Sequence, residues 1–197
     1  MRLYAVPVKI LSLLIVTCFS CATLRAAPEM DWPKDLSPAT KSLLERSLKA
    51  ADQHPEVPYK TGAEDPKDGM DCSGAVTYLL GLAGVTPPRS SAEMHKWLAK
   101  TTTFVVVPAD ARDITHPVYE KLRPGDLVFW AHADGRVSHV QLYLGREKSD
   151  RRPVMIGASE GRSYRGQKRS GFGIVDFKVP KPGSETRIVG FGPAPLK

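Results

Sequence analysis

The chain has 197 residues, of which 42% are hydrophobic and 25% charged. That is enough length and apolar content for one domain with a buried core, and it excludes a wholly disordered chain. The formal net charge is +7, a mild excess that does not point to nucleic acid as a partner.

The first segment reads as a leader. Arg2 and Lys9 form a basic start, residues 10–24 are apolar with small residues mixed in, and no acid precedes Glu29. The run is short for a membrane span and ends in small residues, which predicts a signal peptide over 1–27 with cleavage after Ala22, Ala26 or Ala27. Lipidation at Cys21 or Cys18 is the alternative. The mature chain would then be exported to the periplasm or cell envelope, with no integral membrane span. Loss of Arg2, Lys9 and Arg25 leaves 25 basic against 21 acidic residues, a net charge of +4. Of three cysteines only Cys72 would survive cleavage. A lone thiol in an oxidising compartment cannot form an internal disulfide, so it is either buried or used.

Residues 28–55 read as an N-terminal extension with one helix. Ser37-Pro38 supplies an N-cap and a first-turn proline, and Leu43, Leu44, Leu48 and Ala51 recur at helical spacing up to Asp52. Residues 56–197 read as the main domain. A polar loop over 61–70 leads to Asp71-Cys72-Ser73-Gly74 and an apolar helix over 75–83. Ser90-Ser91-Ala92-Glu93 is a capping box that opens a short helix to about Lys100. From there the period changes. Strands are predicted at 103–107, 126–130, 137–144, 154–158, 174–179 and 187–191, with 161–170 as a basic loop. Helices first, then strands joined by short turns, give an α+β domain with an antiparallel sheet.

Cys72 should sit at or just before a helix N-terminus, where unpaired N–H groups and the helix dipole favour an anion. That setting lowers a thiol pKa and suits a nucleophile. The bland alternative is an inert buried cysteine. A nucleophilic thiol needs a base. Of five histidines, His139 is best placed, in a strand whose alternation puts Val140, Leu142 and Leu144 on one face and His139, Gln141 and Tyr143 on the other. The aliphatic face is expected to be core, leaving the polar face to meet the Cys72 helix. The histidines are scattered, no metal cluster is indicated, and neither a phosphate-binding glycine loop nor a nucleic-acid motif is found.

Several stretches, in this order, resemble the NlpC/P60 cysteine peptidases. They are Asp71-Cys72-Ser73-Gly74, the helix after it, Gly84-Val85 with Pro88-Arg89-Ser90 behind, then Leu122-Arg123-Pro124-Gly125-Asp126-Leu127-Val128-Phe129-Trp130, then Ser138-His139-Val140-Gln141-Leu142-Tyr143-Leu144-Gly145. The resemblance implies a papain-like core and no cofactor. It implies hydrolysis of peptidoglycan stem peptides, commonly at D-γ-glutamyl bonds. Cys72 matches the nucleophile and His139 the base. Tyr59 matches a tyrosine that lines the site and helps hold the oxyanion. Asp71 and Ser73 match positions that help bind a free N-terminal amine in some relatives.

Two positions depart from the family pattern. A third polar residue usually orients the base from the next strand, and here Gly157 occupies that position. Gln141 stands where the family usually has glycine. Gln141 and Ser159 are the candidate replacements. Two other readings stay open: a CHAP-like amidase with the same Cys/His logic, and a peptidoglycan-binding module with a decayed site. The basic residues Arg162, Arg165, Lys168 and Arg169 read as a solvated hairpin, or as a contact to an anionic glycan or partner.

Overall fold

The computed structural model describes residues 27–196. The predicted leader lies outside the described residues except for Ala27. Three helices cover one face of an antiparallel sheet, and an irregular segment covers the other, so the α+β expectation holds.

The first and third helices form where their caps predict, and the second begins at Cys72, ahead of the predicted 75–83. Helix α1 (Pro38–Gln53) opens on Ser37, whose hydroxyl accepts the Thr40 N–H at 3.1 Å. It buries Leu43, Leu44, Ser47 and Ala50. Helix α2 (Cys72–Gly81) opens on Asp71, which accepts the Gly74 N–H at 2.6 Å. Helix α3 (Ser91–Leu98) carries the N-cap half of the predicted capping box: Ser90 Oγ accepts the Glu93 N–H, and the Glu93 carboxylate accepts from the Ser90 hydroxyl where a full box would use the backbone N–H.

The strands are β1 (Met30–Asp31), β2 (Glu64–Asp65), β3 (Gly69–Met70), β4 (Val105–Val106), β5 (Asp126–His132), β6 (Val137–Glu147), β7 (Pro153–Tyr164), β8 (Gln167–Asp176) and β9 (Thr186–Pro193). The main sheet runs β4-β9-β5-β6-β7-β8, and β1 pairs with the far end of β6. Strands β2 and β3 form a small hairpin inside the stretch predicted as loop before Cys72.

The basic stretch 161–170 is not a loop. It is the tip of the long β7–β8 hairpin, which turns at Arg165 (φ 51°) and Gly166 (φ 78°). Two successive left-handed residues are the geometry that a two-residue hairpin needs. Arginine is an unusual first residue there; the stretch is the hairpin that is one of its two sequence readings, with paired strands in place of the predicted loop.

Both sheet faces are buried. Leu127, Phe129, Val140, Leu142, Leu144, Val154, Ile156 and Ala158 share one core with Leu43, Leu44, Ala75, Val76, Leu79, Met94 and Leu98 of the helices. Val128, Trp130, Tyr143, Met155, Val175, Ile188 and Phe191 pack on the other side with Val107, Ala111, Val118 and Tyr119. The expectation for β6 is thereby corrected. Helix α2 packs on its aliphatic face, and the His139/Gln141/Tyr143 face looks to the opposite layer. One-sided burial was assumed from the alternation, but a second cover exists and the alternation cannot reveal it.

Candidate active site

Asp71 organises the start of α2. Its Oδ1 accepts from Gly74 N–H (2.6 Å), Ser73 hydroxyl (3.1 Å) and Arg89 (3.1 Å). Its Oδ2 accepts from Gly62 N–H (2.7 Å) and Arg89 (3.0 Å). Burial works to raise the Asp71 pKa, yet the Arg89 and backbone donors outweigh it and hold the carboxyl below its ordinary value. Arg89 also donates to Ser73 Oγ (2.8 Å) and the Ala63 carbonyl (3.2 Å), and pairs with Glu64 at 2.8 Å. It therefore clamps the loop before Cys72 onto the cap of the helix. Gly74 lets this happen: a Cβ there would lie 2.1 Å from the Ala63 carbonyl oxygen.

Cys72 is buried at the first turn of α2, 6% exposed. Its Sγ lies 3.8 Å from the Ser138 carbonyl, and the Val140 N–H also favours its anion. So the sulfur sits against the β6 backbone on either side of His139. Two local features open that place. Strand β7 pairs with β6 only over its later part, from Leu142 onward. Ser138 is the extra residue of a bulge, since Trp130 pairs with His139 while Ala131 pairs with Val137. Burial pushes the Cys72 thiol up, and the Asp71 charge adds to this; the neighbouring N–H groups only partly oppose it. The helix-terminus argument predicted a lowered pKa. Desolvation wins because the thiol is nearly inaccessible.

His139 is half-buried on the Trp130 face, with ring centroids 5.4 Å apart in an edge arrangement. Its Nε2 is buried without a hydrogen-bond partner among the described residues. Burial first, then the Arg162 charge, push its pKa down to about 3. Both shifts favour the uncharged thiol and imidazole over the ion pair. Among the described residues no hydrogen bond joins Cys72 and His139; the structure brings them together through the backbone of 138–140.

Tyr59 stands beside them. An isolated bridge to Met70 fixes it next to the α2 start, and burial, then Cys72, Asp71 and Glu160, raise its pKa. Gln141 is fully buried and Ser159 is 3% exposed. Neither hydrogen-bonds to His139: both Gln141 amide atoms and Ser159 Oγ have no partner among the described residues. Gly157 and Gln141 are coupled by space, since a Cβ at 157 would lie 3.0 Å from Gln141 Cγ. Gln141 fills the volume that a side chain at 157 would need.

Three further residues belong to this region, and two of them, Arg89 and Trp130, had no role of their own in the sequence reading. Arg89 stood inside a quoted motif, where a basic residue following an acidic cap was the available signal. Trp130 closed the predicted 126–130 strand, directly opposite His139. In the sequence Arg162 reads only together with Arg165, Lys168 and Arg169, as a solvated hairpin or a contact to an anionic glycan or partner.

Comparison with known proteins places the chain in a family. The chain is 31% identical over 117 residues to the bifunctional muramidase/DL-endopeptidase CwlT of Bacillus subtilis, covering 57% of this chain and 30% of that protein. It is 30% identical over 119 residues to the murein DD-endopeptidase MepH of Escherichia coli, covering 57% of this chain and 39% of that protein. It thus spans well under half the length of these relatives. An NlpC/P60 endopeptidase structure from Photobacterium damselae subsp. piscicida superposes with a TM-score of 0.50 at 18% identity, over 75% of this chain and 37% of that one. The NlpC/P60 family model matches residues 56–167, more than half of the sequence, and the chain belongs to that family.

Proposed function

We propose that this protein is an exported cysteine endopeptidase that cleaves peptidoglycan stem peptides, of the D-γ-glutamyl type, in the periplasm or cell envelope. The observation that carries the reading is Cys72 at the first turn of α2 with its sulfur against the backbone on either side of His139. Family membership and relatives named as DL- and DD-endopeptidases support the substrate class. Residues 1–27 would be removed on export, 28–55 would form the extension, and 56–197 would carry the chemistry.

In this mechanism neutral His139 takes the Cys72 proton as the sulfur attacks the scissile carbonyl. Backbone N–H groups at the start of α2, with Tyr59, stabilise the oxyanion. The tetrahedral intermediate collapses, the C–N bond breaks, and His139 returns the proton to the leaving amine. Water, deprotonated by His139, then hydrolyses the thioester and frees the thiol. Asp71 already accepts five hydrogen bonds, two of them from Arg89. Its main work is to cap α2, so any contribution to a substrate amine is made alongside Arg89.

The test is digestion of purified peptidoglycan with mass analysis of the fragments. Cys72→Ala and His139→Ala should each abolish cleavage with the fold intact; full activity of Cys72→Ala would sink the proposal. Cleavage at the sugar–peptide amide would instead identify a CHAP-like amidase. The raised Cys72 pKa and Gly157 favour a second reading, a binding module with a decayed site. Pulldown on intact peptidoglycan without any released fragment would support it.

A further inference from the structure

Arg162 differs from the other basic residues of the β7–β8 hairpin. Arg165 is held by Glu147 at 2.5 Å, Arg169 lies over the Tyr164 ring, and Lys168 is exposed. Arg162 turns inward, and a bulge explains why. Ser159 pairs with Gly171 but Arg162 pairs with Arg169, so β7 carries one residue more than β8 between them. Gly161, at φ 67°, lies in that interval. One extra residue shifts the alternation at that point, and Arg162 comes to lie on the Trp130 face.

On that face the guanidinium lies 5.1 Å from the Trp130 ring centroid and is close enough to His139 to influence its charge. Among the described residues it makes no hydrogen bond and no ion pair. Burial alone pulls its pKa down, with no carboxylate opposing it. A desolvated cation over an aromatic ring keeps its five donors for something else. By strand alternation the same sheet face carries further unpartnered buried atoms: Trp130 Nε1, Ser159 Oγ and both amide atoms of Gln141. Gln141 and Ser159 are themselves almost wholly buried. Three of these groups can donate, so together with the cation they suit an anion of carboxylate size.

We propose that Arg162, with Ser159, Gln141 and Trp130, forms a carboxylate subsite beside His139 that takes the free α-carboxylate of the residue whose γ-linked amide is cleaved. This rests on the endopeptidase reading. A γ-linkage uses the side-chain carboxyl and leaves the α-carboxylate on the same residue free. A charged group therefore accompanies the scissile carbonyl, and Arg162 offers it a partner next to the base. Gly157 belongs to the arrangement, because a side chain there would push Gln141 into the subsite.

The experiment uses three stem peptides: one unmodified, one with the γ-linked residue as its α-carboxamide, and one amidated only at its C-terminal carboxylate. The wild-type protein should favour the first over the second by about 10- to 100-fold in kcat/KM, the worth of one charge-assisted pair. The first and third should be cleaved alike. Arg162→Gln should bring the carboxylate-to-carboxamide ratio close to one, chiefly through KM, and Arg162→Lys should restore part of it. Both substrates meet the same His139, so the ratio cancels any effect of Arg162 on the base. A wild-type ratio near one, a ratio that survives Arg162→Gln, or a preference that follows the C-terminal carboxylate would each overturn the subsite. If no peptide is cleaved, the endopeptidase reading fails separately. Calorimetric binding of the same peptides to the Cys72→Ala protein then decides: tighter binding of the carboxylate form supports the subsite, and equal binding refutes it.

Discussion

Replacing Arg89 by Met keeps much of its bulk and removes its charge. Asp71 would lose two of its five donors and its counter-ion, keeping Gly62, Gly74 and Ser73. Removing one partner of a buried pair costs about 3–5 kcal/mol, while an exposed pair contributes about 1 kcal/mol or less. The Arg89 side chain is 37% exposed and that of Asp71 12%, between those limits. A loss of about 2–3 kcal/mol is expected. The pH dependence gives a sharper check. The folded Asp71 pKa is depressed, so its contribution is present above the unfolded pKa and is lost as pH falls through the folded value. The gap between wild type and Arg89→Met should therefore be widest near pH 7 and narrow as the pH falls below about 4. Urea unfolding at several pH values measures it. A gap under about 0.5 kcal/mol, or one constant from pH 7 to pH 3, would refute the assignment of Arg89 as the charge partner that holds the α2 cap.

Other expectations follow from the same geometry. Gly74→Ala should destabilise by about 2 kcal/mol or more in urea, although alanine normally favours a helix over glycine by about 1 kcal/mol, because its Cβ meets the 63–64 backbone. A stabilised variant would show that this close approach is absent. Gly157→Ala should cost about 1–2 kcal/mol, and Gln141→Ala should largely remove that cost; additive effects in the double mutant would break the link. Asp126 is 4% exposed and its pKa is pushed up to about 6 by burial. Stability from this group is present below its unfolded pKa and lost as pH rises toward 6, by at most about 3 kcal/mol. Asp126→Asn keeps an acceptor for the Arg123 N–H, so its stability should exceed wild type increasingly between pH 4 and 7. A pH-independent difference in urea midpoint would contradict this.

The helices were legible because their ends carry local chemistry. Ser37 and Ser90 read as caps from the sequence; Asp71 caps in the same way but reads there only as a substrate-binding position. Cys72 and His139 were legible through motif order, but their mutual geometry was not. Alternation gives two faces to a strand and does not say which one meets a helix when both are covered. The bulges at Ser138 and around Gly161 change parity, and nothing short-range in the sequence fixes where an antiparallel partner skips a residue. Arg162 was read with its exposed neighbours for that reason. The direction of the Cys72 pKa was missed because it depends on burial by β6, a segment 66 residues away.

Strand β9 lies inside the sheet, between β4 and β5, although it is the last element of the chain. Helix α1 and strand β1, near the other end, are equally built in: Leu43 and Leu44 are fully buried, and Trp32 donates to the Leu144 carbonyl at 2.7 Å. The family match at 56–167 leaves out α1, β1, β9 and most of β8. A fragment or chimera cut at those limits would carry an open slot beside β5 and a core missing two leucines. During synthesis, too, the sheet stays unclosed until Thr186–Pro193 has been made, long after Cys72.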